Sequence, residues 1–372
     1  MRKLYLRILL SVVILAGYVL QTQACRFTVR EIGFSVLSES LYPLLIVDED
    51  LNYDDPAFKK IQEVSEQSNL SVLLLDPRDD ASHPLLRKAV KQGISFPNVL
   101  FCTPRENIYP VYEKGTYSFK TFEEDFFKKV LTSPLRKKML EDVAGNFAYV
   151  IHVSGKDKAK NRQVEKQIRE ACGRVKDIMA LMPKKVDNPP QVLQITEANA
   201  GAERILLNSL GFRELPEQPY AVVVYGRGRF MGKPLTVEEV EQGLVYKYLA
   251  MIGADCECNL DRQWMLGTQL PLSWDEATRQ QLAEGLTFDV DNPSILAEMS
   301  RILSKEEVTG ESTTSFTPET IDLDEVFQSS THQQKETDDT ESLMPQSIFI
   351  TLLLLLFVAV FISILIFRKS KQ

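Results

Sequence analysis

The stretch Gly93-Ile94-Ser95-Phe96-Pro97-Asn98-Val99-Leu100-Phe101 decides how this chain folds. A proline has a fixed φ and no N–H to give to a ladder, so it stands at the entrance of a strand and not inside one. The apolar run behind Pro97 therefore reads as a strand. A turn at 104–107 reverses it, 108–112 returns antiparallel, and a helix over 122–131 closes the unit. Outward on the other side, Leu44, Ile46 and Val47 form a short apolar strand and 56–67 an amphipathic helix. Residues 72–75 then read as a second buried strand and 83–91 as a second helix.

The same order returns further along. A strand at 148–153 precedes a long polar helix over 160–182, then a strand at 191–196 and a helix at 202–210. Pro219 then leads into Tyr220-Ala221-Val222-Val223-Val224-Tyr225, a glycine turn and a short strand around Phe230. A helix over 237–252 ends this half. Two βαβ crossovers, each finishing in a proline-led hairpin and a helix, predict an α/β protein of two tandem βαβαββα units.

That order and the two prolines resemble the thioredoxin fold, over about 250 residues. The resemblance implies a cis-proline beside the active site, at Pro97 and Pro219, and a cleft there that receives extended polypeptide. It also implies a CxxC pair at the start of each unit's first long helix. Those positions read Asp50-Leu51-Asn52-Tyr53-Asp54-Asp55 in the first unit and Ser154-Gly155-Lys156-Asp157-Lys158 in the second. Neither holds a cysteine, so ordinary dithiol catalysis is not expected unless another cysteine takes over.

The ends set further expectations. Arg2, Lys3 and Arg7 precede an apolar run over 8–20 and the polar stretch Gln21-Thr22-Gln23-Ala24, the order of a secretion signal over 1–24. An uncleaved anchor and a lipid-modified Cys25 are the alternatives. Residues 347–367 carry no charge and suffice for one membrane span, and Arg368, Lys369 and Lys371 would hold the tail at 368–372 in the cytoplasm. Between 305 and 342 stand eleven acidic and two basic residues, a net of −9 in a chain of net −8. The acidity thus belongs to a stalk at 304–345, too poor in apolar residues to fold. The expected arrangement is a single-pass membrane protein: unit 1 at 25–135, unit 2 at 145–300, and the bulk outside the cytoplasm.

Five cysteines fall at 25, 102, 172, 256 and 258. Cys102 and Cys172 read as small buried hydrophobes. The pair in Asp255-Cys256-Glu257-Cys258-Asn259-Leu260-Asp261-Arg262 has three readings: a disulfide from Cys25 to one of them, a redox or soft-metal site for copper or zinc, or inert thiols. This string, with Tyr225-Gly226-Arg227-Gly228-Arg229 and the start at Cys25-Arg26-Phe27, is also similar to uncharacterised membrane-anchored proteins of planctomycete-type bacteria. That likeness implies location and fold and carries no activity.

Arg227 and Arg229 sit in a glycine-rich segment whose context is a hairpin turn and not a phosphate loop, since a strand resumes at Phe230. They are expected to present a basic tip to an anionic partner. The helix after Ser154 is basic in its early turns and reads as a solvated face. His83, His152 and His332 are scattered, and no Ser–His–Asp, Cys–His or paired-carboxylate arrangement assembles. Near-neutral charge outside the stalk, with an exported topology, disfavours nucleic acid. The leading expectation is a non-enzymatic module that engages a protein partner through Pro97 or Pro219 outside the cytoplasm. The alternative is a thiol or metal protein using Cys256 and Cys258.

Overall fold

The computed structural model describes residues 27–254 and 266–304. The first sheet holds β1 (Tyr42–Val47), β2 (Leu70–Leu75), β3 (Asn98–Cys102) and β4 (Ile108–Pro110) in the order β2-β1-β3-β4. β1 runs parallel to β2 and antiparallel to β3, and β4 closes the hairpin on β3. Both faces of this sheet are covered. Leu44 and Ile46 pack with Phe58, Ile61 and Phe101 on one side, while Leu45 and Val47 meet Leu86, Ala89 and Leu100 on the other. Double coverage explains why β1 reads as an apolar run instead of an alternation. The helix over Pro56–Ser65 starts where it does because Asp55 accepts from Ala57 N and Phe58 N and Pro56 occupies the first turn, where an N–H is dispensable.

The second sheet repeats this pattern with β5 (Tyr149–Val153), β6 (Gln191–Ile195), β7 (Tyr220–Tyr225) and β8 (Arg229–Phe230), then adds β9 (Thr268–Gln269) at its edge, in the order β6-β5-β7-β8-β9. β5 is parallel to β6 and antiparallel to β7. The shared strand order and senses make both units thioredoxin-like.

Two segments depart from a simple tandem. The short N-terminal helix Val29–Gly33, held by a Thr28–Glu31 capping box, precedes the first sheet in sequence but packs into the second unit. Phe34 joins the second unit's core, and Val29 N donates to Ala254 O at 3.0 Å. Gly226, at φ +54°, lies so close to Gly33 that a Cβ there would overlap the Gly33 backbone. β9 and the segment after it then tie the sheets together. Tyr42 donates to Gln269 O at 2.6 Å, Asn69 Nδ2 donates to Leu270 O at 3.1 Å, and Leu272 N donates to Asn69 Oδ1 at 3.1 Å.

The expected membrane architecture is corrected. No helix among the described residues is long and apolar enough to cross a membrane. The longest, Lys158–Ile178, has 21 residues but is strongly charged, and the apolar Leu244–Gly253 has only ten. The span expected at 347–367, the signal at 1–24, the stalk beyond 304 and the tail at 368–372 lie outside the described residues. The single-pass topology, the placement outside the cytoplasm and the partner met there are therefore withdrawn.

Candidate functional site

The C-terminal ends of β1 and β2 are where a thioredoxin fold carries its chemistry, because the parallel strands and the following helix converge there. In the first unit Asp48 occupies that position, directly after β1 and beside Pro97, since Val47 pairs with Asn98. Asp48 is half-buried. Its Oδ1 accepts from Asp50 N at 3.0 Å and its Oδ2 accepts the Tyr117 hydroxyl at 2.9 Å. Buried Asn98 fixes the facing segment: its Nδ2 donates to Tyr112 O at 3.1 Å, and its Oδ1 accepts from Val99 N at 2.8 Å.

The Tyr112 hydroxyl donates to Asp125 Oδ2 at 3.2 Å, and the rings of Tyr112 and Tyr117 meet edge to face with centroids 5.7 Å apart. Burial, then the facing carboxylate, raises both phenols above the ordinary tyrosine range, so both remain hydrogen-bond donors at neutral pH. The loops after β1 and β2 carry an acidic rim in which Glu49, Asp50, Asp54 and Asp79 are exposed, Asp54 pairing with Lys59 at 2.8 Å. Arg78 bridges part of it, donating to Asp76 Oδ2 and Glu49 O, and its hydrogen bonds hold Asp76 down to about 2.

Of the two prolines singled out from sequence, Pro97 is exposed and follows a cis peptide bond from Phe96; Pro219 is buried and its bond is trans. The second unit's equivalent of the dithiol loop is filled by its own backbone. A Cβ on Gly155 would overlap Gln218 and Glu217, and Lys156 pairs with Glu217 at 2.5 Å. Asp157 caps the following helix, accepting from Ala159 N at 2.8 Å and Lys160 N at 3.2 Å. The two units thus differ: the first leaves this end open and the second closes it.

Arg227 and Arg229 form no exposed tip. Arg229 is fully buried and works as a clamp, donating to Gly33 O at 3.1 Å, Ser35 O at 2.9 Å, Leu266 O at 2.8 Å and Leu37 O. Arg227 lies against Trp274, 4.7 Å from the ring centroid.

The thiol and metal reading is also corrected. Cys102 and Cys172 are free and buried, and burial pushes both thiols up to about 12, which leaves no thiolate at neutral pH. Among the described residues no group of three or more His, Cys, Asp or Glu side chains converges on a metal position. Cys25, Cys256 and Cys258 lie outside the described residues.

Two tandem units of thioredoxin topology without a dithiol define the class. No known family and no curated protein matches the chain. Among solved structures, the first two thioredoxin domains of Eps1p from Naumovozyma dairenensis are similar at 12% identity, covering 55% of this chain and 88% of that one, with a TM-score of 0.18. Those of Saccharomyces cerevisiae Eps1p share 9% identity over 50% of this chain and 81% of that one, TM-score 0.18. ERdj5 form II shares 11% over 57% of this chain and 28% of that one, TM-score 0.20. The fold assignment rests on strand order and register.

Proposed function

We propose that the first unit is a thiol-independent receptor for an extended polypeptide segment carrying a basic residue, bound where Asp48, Pro97 and Tyr117 meet. The observation that carries this reading is the contrast between the two units. Pro97 is exposed beside a tyrosine pair and an acidic rim, whereas Pro219 is buried under its neighbours. An open sheet end with backbone groups, a carboxylate and aromatic rings suits a Lys or Arg side chain: the carboxylate supplies charge and the ring a cation–π face. The reading involves no thiol, metal, anchor or compartment.

The test uses the full chain and fluorescein-labelled extended peptides differing only in a central Lys, Ala or Glu. Anisotropy should show saturable binding of the Lys peptide and none of the Glu peptide. Asp48→Asn should weaken the Lys peptide about tenfold, the equivalent of ~1.4 kcal/mol. Equal affinity for all three peptides would dispose of the reading.

A further inference from the structure

The second unit carries a different feature, independent of the first unit's surface. Arg227 is 7% exposed, and its Nε and Nη1 are enclosed without a hydrogen-bond partner. Burying a guanidinium with its N–H groups unsatisfied costs far more than stacking on one indole returns. Neighbouring groups add further unpartnered donors. Trp274 is 2% exposed with its Nε1 unpartnered, and Arg279, one turn into the helix Glu276–Gly285, has an enclosed and unpartnered Nε. Arg279 reaches Glu276 only at 3.5 Å. Glu39 and Asp291 act on Arg227 through space, and both are exposed. By contrast Arg229, two residues away, has every nitrogen directed at a carbonyl. Arg227 thus keeps unused N–H donors in the same fold that engages every nitrogen of Arg229, and a ligand's negative charge would complete them.

We infer that Arg227, Arg279 and the Trp274 indole form a binding site for a small oxyanion, either free or as the end group of a larger molecule. The planar guanidinium offers paired N–H donors to two oxygens of a phosphate or carboxylate, and the indole N–H would supply a third donor.

Trp274 makes the site observable. In the full chain carrying Trp264→Phe, leaving Trp274 as the remaining tryptophan, emission is titrated with inorganic phosphate, O-phosphoserine and acetate at constant ionic strength. A saturable change with at least one of them is expected, and phosphate alone against phosphoserine separates a free ion from an end group. Arg227→Gln should weaken that binding at least tenfold. Arg279→Gln, on a partly exposed helix face where folding is not at stake, should weaken it at least threefold. Thermal melting checks that each variant is folded; if Arg227→Gln does not fold, Arg279→Gln decides alone. No saturable change with any of the three anions overturns the site, as does wild-type affinity in either folded variant.

Discussion

The Tyr117 hydroxyl donates to Asp48 Oδ2 over 2.9 Å and across 69 residues of sequence, joining the end of β1 to the loop beyond the β3–β4 hairpin. This bond stands just before the loop 50–55, the place of the dithiol that the thioredoxin resemblance implies. It sets a fixed carboxylate beside an aromatic ring. Tyr117→Phe keeps the ring and deletes the donor. It should lower affinity for the Lys peptide by about threefold to tenfold, from a lost orientation of Asp48, and cost stability of about 1 kcal/mol. Anisotropy and urea unfolding on the same preparation separate the two effects.

The buried thiols give an alkaline signature. Cys102 and Cys172 are raised to about 12 in the folded state, so above about pH 9 the unfolded chain loses protons that the native chain keeps. Stability is therefore fully present below that pH and declines as pH rises from about 9 towards 12. Cys102→Ala/Cys172→Ala should flatten the decline in chemical-denaturation midpoints measured from pH 8 to 11. At pH 7.5 neither thiol of the folded protein should react with iodoacetamide within minutes, and both should react in guanidinium.

His152 gives an acid signature of opposite sense. It is 2% exposed on β5 with both ring nitrogens unpartnered, and burial lowers its pKa, against an opposing pull from Glu165 and with a small push from Arg169. The unfolded chain takes up a proton first, so this contribution is present above about pH 6.5 and is lost as pH falls below it. His152→Met should remove that slope between pH 6.5 and 5 while leaving the slope near pH 4, due to carboxylates, in place.

Arg136 is a structural test of how the units are joined. It is 1% exposed and donates to Ser133 Oγ, Lys129 O, Val130 O, Leu131 O and Pro271 O, the last at 3.1 Å. Burial lowers its guanidinium to about 10, still charged at neutral pH. Arg136→Met leaves those carbonyls without a donor and should cost on the order of 3 kcal/mol, read as a lower unfolding midpoint.

Strand order and both crossovers were legible because they depend on local apolar runs and on where prolines interrupt them. The asymmetry between the units was not. Pro97 and Pro219 look equivalent in sequence, yet Gly155 lets the 217–219 backbone close over the second end, a packing relation between distant residues. The Asp48–Tyr117 pair was hidden for the same reason; a tyrosine five residues after Tyr112 and an acidic loop after β1 are the only hints. The burial of Arg227, at the turn, and of Arg229, on β8, is not legible locally, because β9 and Trp274 arrive from far downstream. The membrane reading came from terminal segments outside the described residues.

The most direct measurement is photo-crosslinking of a Lys-containing extended peptide bearing a benzophenone to the full chain with all five cysteines replaced by serine or alanine. Undiminished crosslinking is expected, mapped to residues 48–55, 95–98 and 112–117 and lost in Asp48→Asn/Tyr117→Phe. Crosslinks confined to the second unit, or abolished by removing the cysteines, would contradict it.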